Sequence, residues 1–261
     1  MVRYIFLGAF YTVLVVVATT LIAAALRSRR ALRAHAVDRI RWHSEFQDLP
    51  ERDRTCRHVL TGEFKSRECP HAFDCRECET HARLIEKHPP VAAGEPEEDL
   101  FGMSFPLDRF YHRGHTWAHL EPDGTMTVGL DDLGRRLLGV PDAVELPQPG
   151  ERVHANSAAF RIRKRDADVR VLSPVDGEVV ETGGPGRPWY LRVRPDPLDV
   201  THLLRGSEIR PWLMREMERL QLALSREGAG ATLADGGVPV QDIAAGYPEV
   251  DWDAVCGEMF L

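Results

Sequence analysis

The sequence predicts a mainly β domain in the middle of the chain, preceded by a transmembrane helix and a small cysteine-rich segment. Three observations support this fold class: an uncharged apolar stretch at residues 4–26, four cysteines within residues 56–78, and short β-type runs over residues 105–205. Glycine and proline separate those runs, and such spacing is typical of a small barrel or sandwich. The spacing of apolar residues then predicts a helix at residues 206–227, followed by a C-terminal tail at residues 228–261.

Residues 1–26 are expected to form a transmembrane anchor. Residues 4–26 carry no charge, and at about 1.5 Å per residue they can cross about 30 Å of hydrocarbon. Arginines that follow a span are kept on the cytoplasmic side. Here they are Arg27, Arg29, Arg30, Arg33, Arg39 and Arg41. We therefore predict a single-pass protein of the inner membrane, with its later domains in the cytoplasm. A cleaved signal peptide is the alternative, but its apolar region would be too long and the arginines lie on the wrong flank.

Two connecting segments lie between the anchor and the β domain. Residues 27–55 are predicted to form a juxtamembrane helix that ends near Pro50. Residues 89–104 are rich in proline, glycine and acidic side chains and are predicted to be a linker. The formal net charge of −7 lacks the basic footprint of a nucleic-acid binder. We therefore expect the partners to be the membrane and an unidentified protein, and no nucleic acid.

The cysteine-rich segment, residues 56–88, is predicted to bind a metal through four thiolates. The four candidate ligands are Cys56, Cys69, Cys75 and Cys78. Stable disulfides are rare in a reducing cytoplasm, and a C-x2-C pair supplies half of a tetrahedral site. Zinc is the first choice. An iron–sulfur cluster takes the same ligands, and unmetallated or redox-active thiols are the third interpretation.

Other cysteine and histidine residues are expected to have ordinary roles. Cys256, in the tail, is predicted to be a small buried hydrophobic residue. Three histidines of the cysteine-rich segment are substitute ligands, although each is expected to be exposed to solvent instead. They are His58, His71 and His81.

The stretch from Tyr111 to about Leu204 resembles the glycine cleavage system H protein. The resemblance rests on a Tyr-x3-His-x-Trp opening, a Val-Gly-Leu-x-Asp continuation, a Val-Glu-Leu-Pro run, the segment SPVDGEVVE at residues 173–181 and WYLRVRP at residues 189–195. The residues at the first two motifs and just after them are Tyr111, His115, Trp117, Val128, Gly129 and Gly139. The resemblance implies a lipoyl-like flattened hybrid β barrel with a protruding hairpin and a C-terminal helix. It also implies that His115 and Trp117 are core residues.

The lipoyl position of that family has no lysine in this chain. In the family, the resemblance implies, the modified lysine lies at the hairpin tip, eight residues before the proline of Pro-Val-x-Gly. That proline is Pro174 here, and the matching residue is Asp166, whose carboxylate cannot form the lipoyl amide. Lys164 lies two residues earlier and would need a slipped hairpin register to reach the tip. Arg165-Asp166 makes the better turn because aspartate tolerates turn geometry. We therefore predict that lipoate is absent.

No Ser-His-Asp, HExxH, phosphate-loop or paired-carboxylate pattern is visible in the sequence. H proteins are carriers and catalyse nothing alone, so the resemblance also favours a protein that is not an enzyme. We predict a membrane-tethered, non-lipoylated interaction or regulatory module with a metal site of four cysteines. Two alternatives remain open. One is a lipoyl carrier of a glycine-cleavage-type system held at the membrane, and the other is an iron–sulfur accessory subunit of a membrane redox complex.

Overall fold

The structure is a computed structural model that describes residues 11, 13–20, 46–49, 54–87, 97–183, 187–227 and 239–261. The chain divides into two units, residues 1–42 and 43–261. In the first unit, residues 13–20 are helical. Of the helices in the ranges just given, none is both long and apolar enough to cross a membrane. Most of the predicted span at residues 4–26 lies outside the described residues, as does most of the predicted juxtamembrane helix.

The second unit is built mainly from β-strands that pair in an antiparallel manner. Its larger sheet has the strand order β3-β4-β5-β11-β10-β7. These strands are β3 (Phe110–Tyr111), β4 (Thr116–Leu120), β5 (Met126–Leu130), β7 (Arg152–Val153), β10 (Gly177–Thr182) and β11 (Leu191–Pro195). A second sheet has the order β6-β8-β9, with β6 (Ala143–Glu145), β8 (Ala158–Lys164) and β9 (Ala167–Leu172).

Side-chain alternation along the strands builds the core of this unit. In β8, Phe160 and Ile162 are buried while Arg161 and Arg163 are exposed, as the two-residue period of a strand requires. Buried residues from both sheets belong to one apolar core. At about 25 cal/mol per Å² of buried apolar surface, this core is the main source of stability. The prediction of a mainly β barrel domain is therefore confirmed.

Helices flank the two sheets. Helix α3 (Asp132–Leu138) begins at Asp131, whose carboxylate caps the backbone N–H of Gly134 at 2.7 Å. Helix α4 (Ile209–Arg226) buries its apolar face, including Leu213 and Leu220. This is the C-terminal helix that the sequence predicts. The two shorter helices before the barrel are α1 (Arg57–Leu60) and α2 (Glu79–Lys87).

The prediction that residues 89–104 form a linker is wrong for the C-terminal part of that range. Strands β1 (Glu97–Leu100) and β2 (Met103–Pro106) form a hairpin there. The physical reason is apolar burial, because Leu100, Met103 and Phe105 are almost fully enclosed. Proline and acidic residues upstream conceal this short apolar pattern in the sequence.

The C-terminal tail forms part of the core. Residues 239–261 contain α5 (Ile243–Gly246) and α6 (Trp252–Met259), and α6 packs against β9 and α4. Trp252, Cys256 and Phe260 are each almost fully buried. The prediction that Cys256 is a small buried hydrophobic residue is confirmed.

Candidate functional site

The β8–β9 hairpin ends in a two-residue turn formed by Arg165 and Asp166. Lys164 pairs with Ala167 as the last rung of the ladder. Arg165 adopts a φ of 55°, and its backbone N–H donates a hydrogen bond to Asp142 Oδ2 at 2.6 Å. The turn therefore lies where the sequence predicts it. The hairpin tip presents a guanidinium and a carboxylate to solvent, and no amine.

Lys164 precedes this turn, and its side chain is largely enclosed. Its Nζ donates to the carbonyl oxygen of Val140 at 2.6 Å and to Asp242 Oδ2 at 3.0 Å, and the side chain is 12% exposed. Asp242 also caps α5 by accepting from the backbone N–H of Ala245 at 2.9 Å. Burial acts to raise the pKa of Asp242, but the hydrogen bonds from Ala245 and Lys164 outweigh it and hold that pKa below its ordinary value.

A close approach explains the glycine beside this carboxylate. Gly139 ends α3 with a φ of 55°, and a Cβ added there would lie 2.1 Å from the Asp242 carboxylate. Only glycine adopts this conformation and leaves room for the carboxylate. The Lys164–Asp242 pair therefore occupies a site that α3, β8 and the C-terminal segment build together.

The outward face of the hairpin carries arginines that are balanced by acids. Arg163 forms an ion pair with Glu145 of β6. The Nη1 atom of Arg161 lies 3.7 Å from Oδ2 of Asp168 in β9. Arg170 is directly opposite Arg161 across the ladder. These side chains are solvent-exposed or half-buried, so each pair contributes less than about 1 kcal/mol to stability. The outward face of the hairpin is therefore a charged surface.

Two backbone features position the four cysteines of the cysteine-rich segment. Residues 54–56 run antiparallel to residues 67–69, through the bonds from Cys56 N to Arg67 O at 2.9 Å and from Cys69 N to Arg54 O at 2.6 Å. A tight turn joins the other two cysteines, with the N–H of the second donating to the carbonyl of the first at 3.2 Å. The cysteines that these features supply are Cys56, Cys69, Cys75 and Cys78. Three of them are buried and Cys78 is half-buried.

Burial disfavours the thiolate form of two of these cysteines. It raises the pKa of Cys75 to about 12 and raises that of Cys56 as well. Cys69 and Cys78 act electrostatically on both thiols in the same direction. Within the described residues, which include all four cysteines, no three Cys, His, Asp or Glu side chains are arranged to hold a metal ion. The predicted metal site stays a prediction.

Two histidines of this segment are buried, contrary to the expectation that they are exposed. His58 Nε2 lies 3.0 Å from His81 Nδ1, and both rings are about 1% exposed. Burial, aided by Arg57, lowers the pKa of His81 to about 4. Both rings are neutral at physiological pH and hydrogen-bond to each other, whereas His71 is exposed as expected.

Two arginines attach the cysteine-rich segment to the barrel, and sequence reasoning missed both. Arg57 forms a buried ion pair with Glu208 at 2.6 Å and donates to the carbonyl oxygen of Thr201 at 2.7 Å. Arg76, inside the C-x2-C pair, binds Asp176 of the loop before β10. Each arginine directly follows a cysteine, and that position is the only signal in the sequence for these contacts.

A second charged cluster lies inside the barrel domain. His115 Nδ1 lies 3.0 Å from Asp131 Oδ2, and its Nε2 lies 3.6 Å from Glu216 Oε2. Burial acts to lower the pKa of His115, but Asp131 and Glu216 outweigh it and raise that pKa to about 9. The ring stacks on Trp212 and is fully buried. The prediction that His115 is a core residue is confirmed, and an imidazole enclosed in this way cannot meet a substrate.

Comparison with known proteins places this barrel in a family. The family model of the glycine cleavage H-protein matches residues 109–184. A glycine cleavage system H protein of Methylococcus capsulatus is 35% identical over 117 residues, which cover 40% of this chain and 92% of that protein. One of Alkalilimnicola ehrlichii is 33% identical over 111 residues, which cover 38% of this chain and 85% of that protein.

Among solved structures, the chain is similar to the crystal structure of a glycine cleavage system H protein from Mycobacterium marinum. That likeness has a TM-score of 0.36 and 26% identity, and it covers 40% of this chain and 94% of the other. The sequence matches take in nearly the whole length of the Methylococcus protein and include the β8–β9 hairpin. On the strength of those sequence matches, this chain belongs to the glycine cleavage H-protein family.

Proposed function

We propose that this chain is a membrane-tethered interaction or regulatory module whose H-protein domain carries no lipoate and catalyses no reaction. The observation that supports this is the state of Lys164. The lysine lies outside the hairpin turn, and its amine is bound to Asp242 and to the carbonyl oxygen of Val140. The tip itself is Arg165-Asp166.

Lipoate does not fit the residues at this site. A lipoyl amide needs an accessible, uncharged amine, whereas the Lys164 side chain is 12% exposed and ion-paired. Modification would remove its charge and leave the Asp242 carboxylate, which is 29% exposed, without its cation. A slip of the hairpin would have to break the β6–β8 pairing as well as the β8–β9 ladder. We therefore propose that this domain does not act as a lipoyl carrier.

Membrane tethering is supported by the apolar N-terminal stretch. The side chains of residues 13–17 are between 49% and 62% exposed, and all five are valine or leucine. The hydroxyls of Thr19 and Thr20 donate to the carbonyl oxygens of Val15 and Val16. A helix in hydrocarbon must satisfy its polar groups internally in this way. The arginines of residues 27–41 favour a cytoplasmic position for the later domains.

The interaction surface that we propose is the region of the hairpin tip. Val140 and Val240 leave 77% and 58% of their surface exposed. Val140 supplies the carbonyl that binds Lys164, and Val240 lies two residues before Asp242. Exposed apolar side chains beside a charged hairpin face suit a protein partner, because interfaces combine an apolar centre with a polar rim.

A metal in the cysteine-rich segment is the second part of the proposal. The clustering of four cysteines within residues 56–78 and the burial of three of them support it. Zinc suits a closed set of four sulfurs. An iron–sulfur cluster in the same ligands would instead favour a redox accessory subunit.

Intact mass tests the central proposal. The full-length chain should be expressed with a competent lipoate ligase and free lipoate, with the Methylococcus H protein in the same cells as the positive control. We expect this chain to keep its unmodified mass while the control is modified. A lipoyl group on Lys164 would overturn the proposal and establish the carrier alternative.

A further inference from the structure

The hairpin of β1 and β2 turns on a strained aromatic residue. Leu100 pairs with Met103, so Phe101 and Gly102 form a two-residue turn, with φ angles of 55° and 66°. Asparagine, aspartate or glycine usually occupies the first position of such a turn, because a bulky side chain is strained at positive φ. Phe101 is 44% exposed, so burial within its own chain offsets little of that strain. Its position therefore suits a contact outside the monomer.

Arg136 connects this turn to the C-terminal segment. Its Nη2 donates to the carbonyl oxygen of Gly102 at 2.7 Å, and its Nη1 donates to that of Pro239. Val240 follows Pro239 and is exposed, as is Phe101 beside Gly102. Because one guanidinium binds both carbonyl groups, the two exposed side chains belong to neighbouring segments of one surface.

Val140 extends that surface to the end of α3. It follows Gly139, against which the Asp242 carboxylate lies, and its side chain is exposed. Helix α3 packs against both β2 and α5, so the three segments meet along this helix. Their exposed apolar residues, termed the α3 patch, are Phe101, Val140 and Val240. Such a group of side chains is typical of the apolar centre of a protein interface.

The rim of the α3 patch is acidic. Asp99 lies two residues before Phe101 in β1. Asp142 and Asp166 lie at the hairpin tip, beside Arg165. All three carboxylates are exposed, and none forms an ion pair within the part of the chain that the structure describes. Since Arg165 is a single positive charge among three negative charges, the rim is net negative.

The charge of the whole second half of the molecule has the same sign. Residues 46–261 contain 26 basic and 38 acidic side chains, a net charge of −12. Nucleic acid and anionic lipid would be repelled by such a surface, whereas a positively charged protein segment would be attracted to it. The charge of the rim therefore selects the kind of partner.

We propose that the α3 patch docks an apolar segment of a partner protein that carries basic residues beside its apolar side chains, with Phe101 as the anchor. This rests on the interaction surface proposed above and adds the chemistry of its partner. The apolar side chains of that segment would cover Phe101, Val140 and Val240, and its basic residues would face the aspartates of the rim. Covering Phe101 would remove apolar surface from water and so offset the strain of its turn.

The test selects binders without naming a partner in advance. A phage-displayed library of random short peptides is panned against the full-length chain in nanodiscs, after depletion on the Phe101→Asn variant. Asparagine tolerates a positive φ, so this variant should be at least as stable to urea as the wild type and differ from it at the α3 patch. We expect the enriched peptides to combine Phe, Leu or Trp with Lys or Arg.

Synthetic copies of the enriched peptides then measure the contribution of each part of the surface. Phe101→Asn should weaken binding at least about tenfold, because interfaces concentrate their binding energy in a few anchors. Asp99→Asn should weaken it by up to about fivefold, as expected for an exposed charge pair, and should reduce its dependence on salt. Leu222→Asn is the matched control, because Leu222 is 57% exposed but lies on α4. It should keep the wild-type affinity.

Each other outcome would overturn a stated part of the proposal. Acidic or uncharged peptides among the dominant binders would overturn the basic partner. A selection that yields no peptide dependent on Phe101, or equal losses in Phe101→Asn and Leu222→Asn, would overturn the docking site. If Phe101→Asn fails to fold, Phe101→Gly takes its place, since glycine adopts this φ without strain. None of these results alters the mass of the chain, so the lipoylation test of the proposed function is independent of them.

Discussion

Lys164 Nζ lies 3.0 Å from Asp242 Oδ2, so the end of β8 is bound to the cap of a helix near the end of the chain. The two residues are 78 positions apart. The amine closest to the hairpin tip is therefore held by the C-terminal segment, which itself packs into the core through α6. In this family member, the tip itself carries no lysine. The nearest lysine, Lys164, is enclosed by its contacts with Asp242 and Val140.

Asp242→Asn should release Lys164 while keeping the helix cap, because asparagine caps as well as aspartate. We expect faster acylation of Lys164 by an amine-reactive ester, read by peptide mass spectrometry. The loss of stability should be about 1 kcal/mol or less, since the pair is partly exposed. Asp251→Asn, at the cap of α6, is the control and should leave Lys164 labelling unchanged. Equal labelling in all three proteins would show that the ion pair does not protect the amine.

The His115 cluster predicts a pH dependence of stability. The folded-state pKa of His115 is raised from 6.5 to about 9, so its stabilisation is complete below pH 6.5 and is lost as pH rises to about 9. The unfolding free energy should fall by at most about 1.4 kcal/mol per pH unit in that window. His115→Asn tolerates the φ of 59° at this position and should remove the decline. Urea unfolding at pH 6 and pH 9 measures both. An equally steep decline in His115→Asn would assign it to other groups.

Features that depend on neighbouring residues in the chain could be predicted from the sequence, whereas contacts between distant residues could not. Strand alternation, the α4 spacing and the Arg165-Asp166 turn are local signals, and each predicted the observed element. The ion pair between Arg57 and Glu208 joins residues 151 positions apart, and no local pattern encodes it. His58 is buried because the cysteine-rich segment packs against the barrel. The charged residues near it in the sequence led to the prediction that it is exposed.

Cys75→Ser should abolish binding of the proposed zinc ion and expose residues 56–81 to protease, because thiolate ligation supplies folding free energy to such a segment. Zinc content and limited proteolysis of the full-length chain measure the effect. Cys256→Ser is the matched control, since Cys256 is equally buried but lies in α6. It should lose some stability and keep its zinc. Retention of one zinc ion by Cys75→Ser would remove Cys75 from the ligand set.

The topology prediction can be checked with reporters fused after Leu261. Because the arginines of residues 27–41 favour the cytoplasmic side, a reporter that works only in the cytoplasm should be active there. Changing those arginines to glutamine should lower the fraction of molecules whose C-terminal reporter is in the cytoplasm. Strong activity of a reporter that works only in the periplasm would reverse the topology, and with it the reducing environment assumed for the cysteines.

The hairpin tip can be changed towards a lipoyl-accepting form one requirement at a time. Asp166→Lys places an amine in the turn, but Arg163 and Arg165 still surround it with positive charge. We expect this variant to stay largely unmodified when it is expressed with the ligase and lipoate. Adding Arg163→Glu and Arg165→Gly supplies an acidic neighbour and a small residue that adopts the φ of 55° without strain. This triple variant should gain a lipoyl group at residue 166, as peptide mass spectrometry would detect. Complete modification of Asp166→Lys alone would show that the missing lysine is the whole difference and that the arginines do not hinder the ligase.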